Sequence, residues 1–200
     1  MIRNYLLLII VILLYGCSEH ASSIFFQDID GSAANFEDDT HGTYNSTYRP
    51  LSSENIIIKN AIIFDGNGNK LENTEIHFSD GLIQAIGQEL VAEGAEVIDA
   101  SGKYITPGII DIHSHMGVYP APSVRTSSDG NEATNPVTAE VWAEHSVWSQ
   151  DPQYKLALAG GVTTFHVLPG SANLFGGRGV TLKNVSSNTV PDMKFPNAPH

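Results

Sequence analysis

Pro107-Gly108 opens onto Ile109-Ile110-Asp111-Ile112-His113-Ser114-His115, and this run constrains the chain more than anything else in it. Isoleucine at this density predicts a buried strand, entered at the Pro-Gly step. Residues two apart on a strand share a face. Both imidazoles are therefore expected on one side, at the strand's end, close enough to grip one ion. Neutral imidazole is a common ligand for zinc and similar divalent metals. A structural reading stands beside this one, because histidines near a core are usually hydrogen-bonded and an unsatisfied buried polar group costs roughly 1–3 kcal/mol. Asp111 shares parity with the histidines, one step deeper. There it either orients an imidazole or makes a buried structural hydrogen bond.

The flanking sequence sets this strand in an alternating order. Upstream, Ile56 through Phe64, Glu75 to Phe78, Leu82 to Ile86 and Val97 to Asp99 read as short strands. Asp65-Gly66-Asn67-Gly68-Asn69 is a hairpin turn. It fails as a calcium loop, since Lys70 and Ile76 stand where glycine and glutamate are required. Downstream, Met116 to Pro136 is a long polar connection of a kind that is uncommon unless functional. Thr138 to Trp148 is expected to be helical. A second helix is expected to start at Asp151-Pro152 and end at Gly160-Gly161. Val162 to Leu168 is the next strand, and strand, loop, helix, strand implies a parallel βαβ unit. His77 is expected on the polar face of its strand. His145 and His166 are read as packing or surface residues.

Charge and cysteine usage narrow the function. A net charge of −12 gives no electrostatic support for nucleic-acid binding. The single cysteine excludes an intrachain disulfide framework and any cysteine-rich zinc module. That residue, Cys17, follows a charged start and an aliphatic core over Tyr5 to Leu14, which together read as a secretory signal. Leu14-Tyr15-Gly16-Cys17 resembles a bacterial lipobox, in which the cysteine is lipidated and becomes the mature N-terminus. Ser18 after it resembles the pattern of outer-membrane lipoproteins. An uncleaved anchor helix is the alternative, and on either reading the remainder is exported. Residues 1–17 are thus read as a lipoprotein-type signal peptide and 18–53 as a flexible acidic linker.

Three stretches together resemble the amidohydrolase superfamily: Gly81 to Gly87, Ile105 to His115, and Ala157-Leu158-Ala159-Gly160-Gly161-Val162-Thr163-Thr164. Val167 to Asn173 and Gly176-Gly177-Arg178-Gly179 look like its imidazolonepropionase-related branch. The resemblance implies an α/β fold. Residues 54–104 would form part of a small β-sandwich, and 105–200 the first β/α units of a (β/α)₈ barrel. His113 and His115 would be metal ligands at the C-terminal end of the first barrel strand, where chemistry sits in such folds. It further implies one or two divalent ions, zinc above all, and hydrolysis of a small-molecule amide or cyclic amide. About 85 residues follow His115 in the 200 given, against roughly 250 for a whole barrel. The remaining ligands and a proton-shuttling aspartate are accordingly expected beyond His200, with the chain as part of a longer protein.

Arg178 is a candidate for a substrate carboxylate, because guanidinium binds carboxylates bidentately. Its glycine-rich loop lacks Gly-Lys-Ser/Thr, which argues against phosphate cradling. Two readings compete with the enzyme: a non-catalytic exported lipoprotein that keeps the start of the fold as a binding module, and a metal-scavenging protein.

Overall fold

Two sheets organise residues 44–52 and 54–198, the part that the computed structural model describes. The signal peptide, Cys17 and most of the expected linker lie outside these residues. In the first sheet β1 (Ile56–Phe64) runs centrally. It pairs antiparallel with β2 (Lys70–Ser79) and parallel with β4 (Glu96–Asp99) and β5 (Tyr104–Ile105), while β3 (Leu82–Gly87) flanks β2. The turns are local. Asp65 closes the β1–β2 turn by accepting the backbone N–H groups of Asn67 and Asn69 at 2.8 and 3.1 Å. Asp80 and Gly81, at φ 55° and 77°, make the two-residue β2–β3 turn in the left-handed conformation such hairpins need. Ala61, Ile63, Ile76 and Ala100 form the buried core of this sheet.

The second sheet has the order β6 (Ile109–Ser114), β7 (Val162–Val167), β8 (Val180–Lys183). β6 and β7 are parallel, as the βαβ order predicts, and Ser114 lies beside Val167. Between them α1 (Gln153–Ala159) occupies the expected place. Pro152 already has helical angles at its entrance, and the Asp151 carboxylate accepts the Gln153 N–H at 3.0 Å. Tyr154 of α1 stacks on Phe165, with centroids 5.3 Å apart. Around Phe165 the core gathers Val118, Val147, Val167, Leu182 and Met193.

The structure corrects the sequence reading at three places. Thr138 to Trp148 is not a helix and holds only a single 3₁₀ turn at Ala143–His145. Its backbone instead pairs with the glycine-rich loop: Thr138 N–H donates to Phe175 O and Ala143 N–H to Arg178 O. Tertiary pairing overrides a weak helical preference here. β8, which no periodicity announced, returns antiparallel along β7. Finally, β6 is not buried, for Ile109, Ile110 and Ile112 are 51%, 65% and 77% exposed. β6 is the outer strand of its sheet among the described residues, with no strand of them along its outer edge.

The end of the expected linker is pinned rather than free. Tyr44 N–H donates to Glu144 Oε1 at 2.9 Å and Tyr44 O accepts from Lys194 Nζ at 2.8 Å. Glu144 and Lys194 form a buried ion pair at 2.6 Å. Ser46 Oγ then donates to Lys194 O, and Thr47 N–H to Pro191 O. The Tyr44 N–H, the Tyr44 carbonyl and the Thr47 N–H thus each have a partner in the folded part.

Candidate metal centre

His113 is the exposed, penultimate residue of β6, and His115 follows one step past the strand. Ser114 between them is buried; its carbonyl accepts the Leu168 N–H at 2.9 Å and its hydroxyl accepts the Met116 N–H at 3.3 Å. With that residue anchored, the two side chains flanking it turn the same way. Their rings meet edge to face with centroids 5.3 Å apart. Zinc–nitrogen bonds are about 2.1 Å long, so rings this close can share one ion.

The hydrogen bond of His115 fixes which nitrogen is available. Its Nδ1 lies 2.9 Å from Leu168 O. A carbonyl only accepts, so Nδ1 carries a proton, and in the neutral ring Nε2 keeps its lone pair. Imidazoles that bind metals are ordinarily oriented by such a bond from the other nitrogen. The donor set therefore fits a divalent ion held by His113 and His115. Among the described residues no group of three or more His, Cys, Asp or Glu side chains converges on a common point.

Asp111 Oδ1 accepts the backbone N–H of His113 at 3.1 Å, a structural hydrogen bond that shapes the strand end beside the rings. Arg178 is engaged within the protein: Nη1 donates to Ala139 O at 2.8 Å and the guanidinium lies 4.7 Å from the Trp142 ring centroid. His166 Nδ1 is 2.9 Å from Thr181 Oγ1, and an added Cβ at Gly179 would crowd its ring. A cleft of about 250 Å³ opens between the loops, with Asp129, Glu132, Glu140 and His145 in its wall; the histidine pair lies outside it. Sequence reasoning missed Leu168, whose contribution is a backbone carbonyl, and Tyr119, whose ring meets that of His115 at 5.7 Å.

No family model matches the chain. The amidohydrolase tasK of Hapsidospora irregularis is 32% identical over 158 residues, which are 70% of this chain and 16% of that protein. A dihydroorotase of Caldanaerobacter subterraneus subsp. tengcongensis is 37% identical over 81 residues, 39% of this chain and 19% of its own length. Among solved structures, an amidohydrolase from Thermotoga maritima superposes with a TM-score of 0.65 at 37% identity. That match covers 71% of this chain and 37% of that one. The chain thus spans between 16% and 19% of the length of these two curated relatives.

Proposed function

We propose, from the premise that this chain belongs to the amidohydrolase superfamily, that it carries the first metal-binding strand of a hydrolase acting on an amide or cyclic amide C–N bond. The observation that carries this reading is the pairing of His113 with a His115 whose Nδ1 is committed to Leu168 O. That arrangement leaves a lone pair ready for a ligand bond, beside a second ring. Members of the superfamily generally depend on a divalent metal, for which zinc suits two imidazoles. When bound, such an ion supplies Lewis acidity, which acidifies water and polarises a scissile carbonyl. The chain's own part is to position. Ser114 locks the strand end against Leu168, Asp111 holds the His113 backbone, and the Leu168 carbonyl selects the His115 tautomer.

On this reading β6 and β7 are the first two strands of a (β/α)₈ barrel, and β1 to β5 belong to a small β-sandwich. The parallel β6–β7 pair joined through α1 supports the first assignment. A protein as long as the curated relatives would supply the other ligands and a carboxylate to carry the proton. The imidazolonepropionase-related branch is our reading within the superfamily, on Val167 to Asn173 and the Gly176 to Gly179 loop. We also place the protein on the outer face of a bacterial membrane, exported and anchored through Cys17, on the strength of the leader alone.

In the full-length protein, His113→Ala and His115→Ala should each abolish turnover of a cyclic-amide panel and lower bound metal measured by elemental analysis. Undiminished turnover and metal content in the double variant would reject the site. For the anchor, Cys17→Ser should move the protein from the membrane to the soluble fraction, and continued membrane retention would count against lipidation.

A further inference from the structure

Beyond β6 the chain folds back onto its own histidine. The His115 carbonyl accepts the N–H groups of Val118 and Tyr119 at 3.2 and 3.0 Å. This tight turn lays the Tyr119 ring edge-on against the His115 ring, at 82° between planes. Asn131, further along the same loop, donates from Nδ2 to the Tyr119 hydroxyl. Its Oδ1 accepts the Ala172 N–H at 3.2 Å, from the loop that follows β7. Alongside, Gly170 N–H donates to Gly130 O at 2.6 Å. Two loops that lie far apart in the chain are thereby clasped across one tyrosine.

The glycines show that the slot is built for it. A Cβ at Gly170 would lie 2.5 Å from the Tyr119 hydroxyl and 2.6 Å from Asn131 Nδ2, and one at Gly130 would clash with the phenol end of the Tyr119 ring. Neither glycine has a positive φ, so room, and not backbone conformation, is what a side chain would remove. The loop held by this clasp is also the one that carries Leu168, whose carbonyl receives the His115 Nδ1 proton. His115 is thus tied to that loop twice, directly at Leu168 and through Tyr119 and Asn131 at Ala172.

We propose that Tyr119, clasped by Asn131 between Gly130 and Gly170, is a positioning residue: it sets the distance between His115 and the Leu168 carbonyl and so keeps the Nε2 lone pair turned outward. The clasp's bearing on metal rests on the reading of His115 as a ligand; its bearing on the tautomer does not. Loss of an outer partner of a metal-binding histidine typically lowers metal affinity about 10- to 100-fold.

The test uses the full-length protein with ¹⁵N-labelled histidine and two readouts: the His115 imidazole nitrogen shifts without metal, and zinc affinity by competition with a chelator. In Tyr119→Leu and Gly170→Ala the His115 ring should become a mixture of tautomers, with zinc affinity falling about tenfold or more. Tyr119→Phe, which keeps the ring contact, should fall between these and the native protein. Should Tyr119→Leu fail to fold, Tyr119→Phe and Asn131→Ala, the latter at an exposed position, carry the test. Folded variants with the native tautomer and native zinc affinity would overturn the proposal, because loop packing alone would lower melting temperature and change neither readout. If His115→Ala leaves zinc affinity unchanged, the metal reading fails, and the nitrogen shifts alone then decide whether Tyr119 positions the ring.

Discussion

The hairpin turns of the first sheet and the long loops of the second close in opposite ways. In the β1–β2 and β2–β3 hairpins, the residues that shape a turn sit inside it: Asp65 bonds Asn67 and Asn69, and Asp80-Gly81 supplies its own left-handed backbone. The β3–β4 connection of that sheet is instead held from afar, by Glu75 and Asn55. In the second sheet, connections are held by groups distant in the chain. Gly117 N–H reaches the buried Asp151 carboxylate, Asn131 reaches Ala172, and Arg178 reaches Ala139. Local closure needs only the right turn residues. Distant closure needs the whole unit assembled first, and it places side chains with the accuracy that a ligand site demands.

That contrast can be broken or sharpened by substitution. Phe165 has 0% exposure at the centre of the second core, so Phe165→Ala should cost about 3–5 kcal/mol. Denaturant unfolding measures this, and a loss under about 1 kcal/mol would mean the second unit is not organised around that ring. Lys194→Met leaves Glu144 buried without its cation and should cost about 3 kcal/mol. It should also release the strap at Tyr44 to Thr47, so that limited proteolysis there accelerates; an unchanged cleavage pattern would show that the pair does not hold the strap.

The smallest effect is one of pH. The Asn69 side chain and then the Asn67 N–H hold the Asp65 carboxyl below its usual value near 3.8. The Thr189 and Thr47 hydroxyls do the same for Asp192. A carboxyl depressed in the folded state contributes stability above its unfolded value, and that contribution is lost as pH falls through the folded value. Asp65→Asn and Asp192→Asn should each flatten the loss of stability below about pH 4. Only Asp192→Asn should also loosen the strap, through Thr47. Equal proteolysis of the two variants would erase the contrast between local and distant closure.

The same distinction explains what could be read in advance. The β1–β2 turn, α1 and the β6–β7 crossover were legible because their determinants are adjacent residues: Asp65 with its glycines, Asp151-Pro152 at one helix end, Gly160 at the other. Thr138 to Trp148 was not, because its partner is a loop around Arg178 that no local window contains. The strap carries a solvated composition, yet its Ser46 and Thr47 hydroxyls find Lys194 O and Asp192. At the site, the histidine pair was visible from spacing. Leu168 was not, since a backbone carbonyl has no sequence signature. Asp111 had the right parity, but nothing in parity separates a backbone N–H acceptor from a ring partner.

The outer strand of the second sheet has a practical outcome. A strand at the edge of a sheet, flanked by exposed aliphatic side chains such as Ile110 and Ile112, is a template onto which another molecule's strand adds readily. Concentrated samples of these residues by themselves would zip together along β6, in a concentration-dependent assembly that buries the His113 end of the strand.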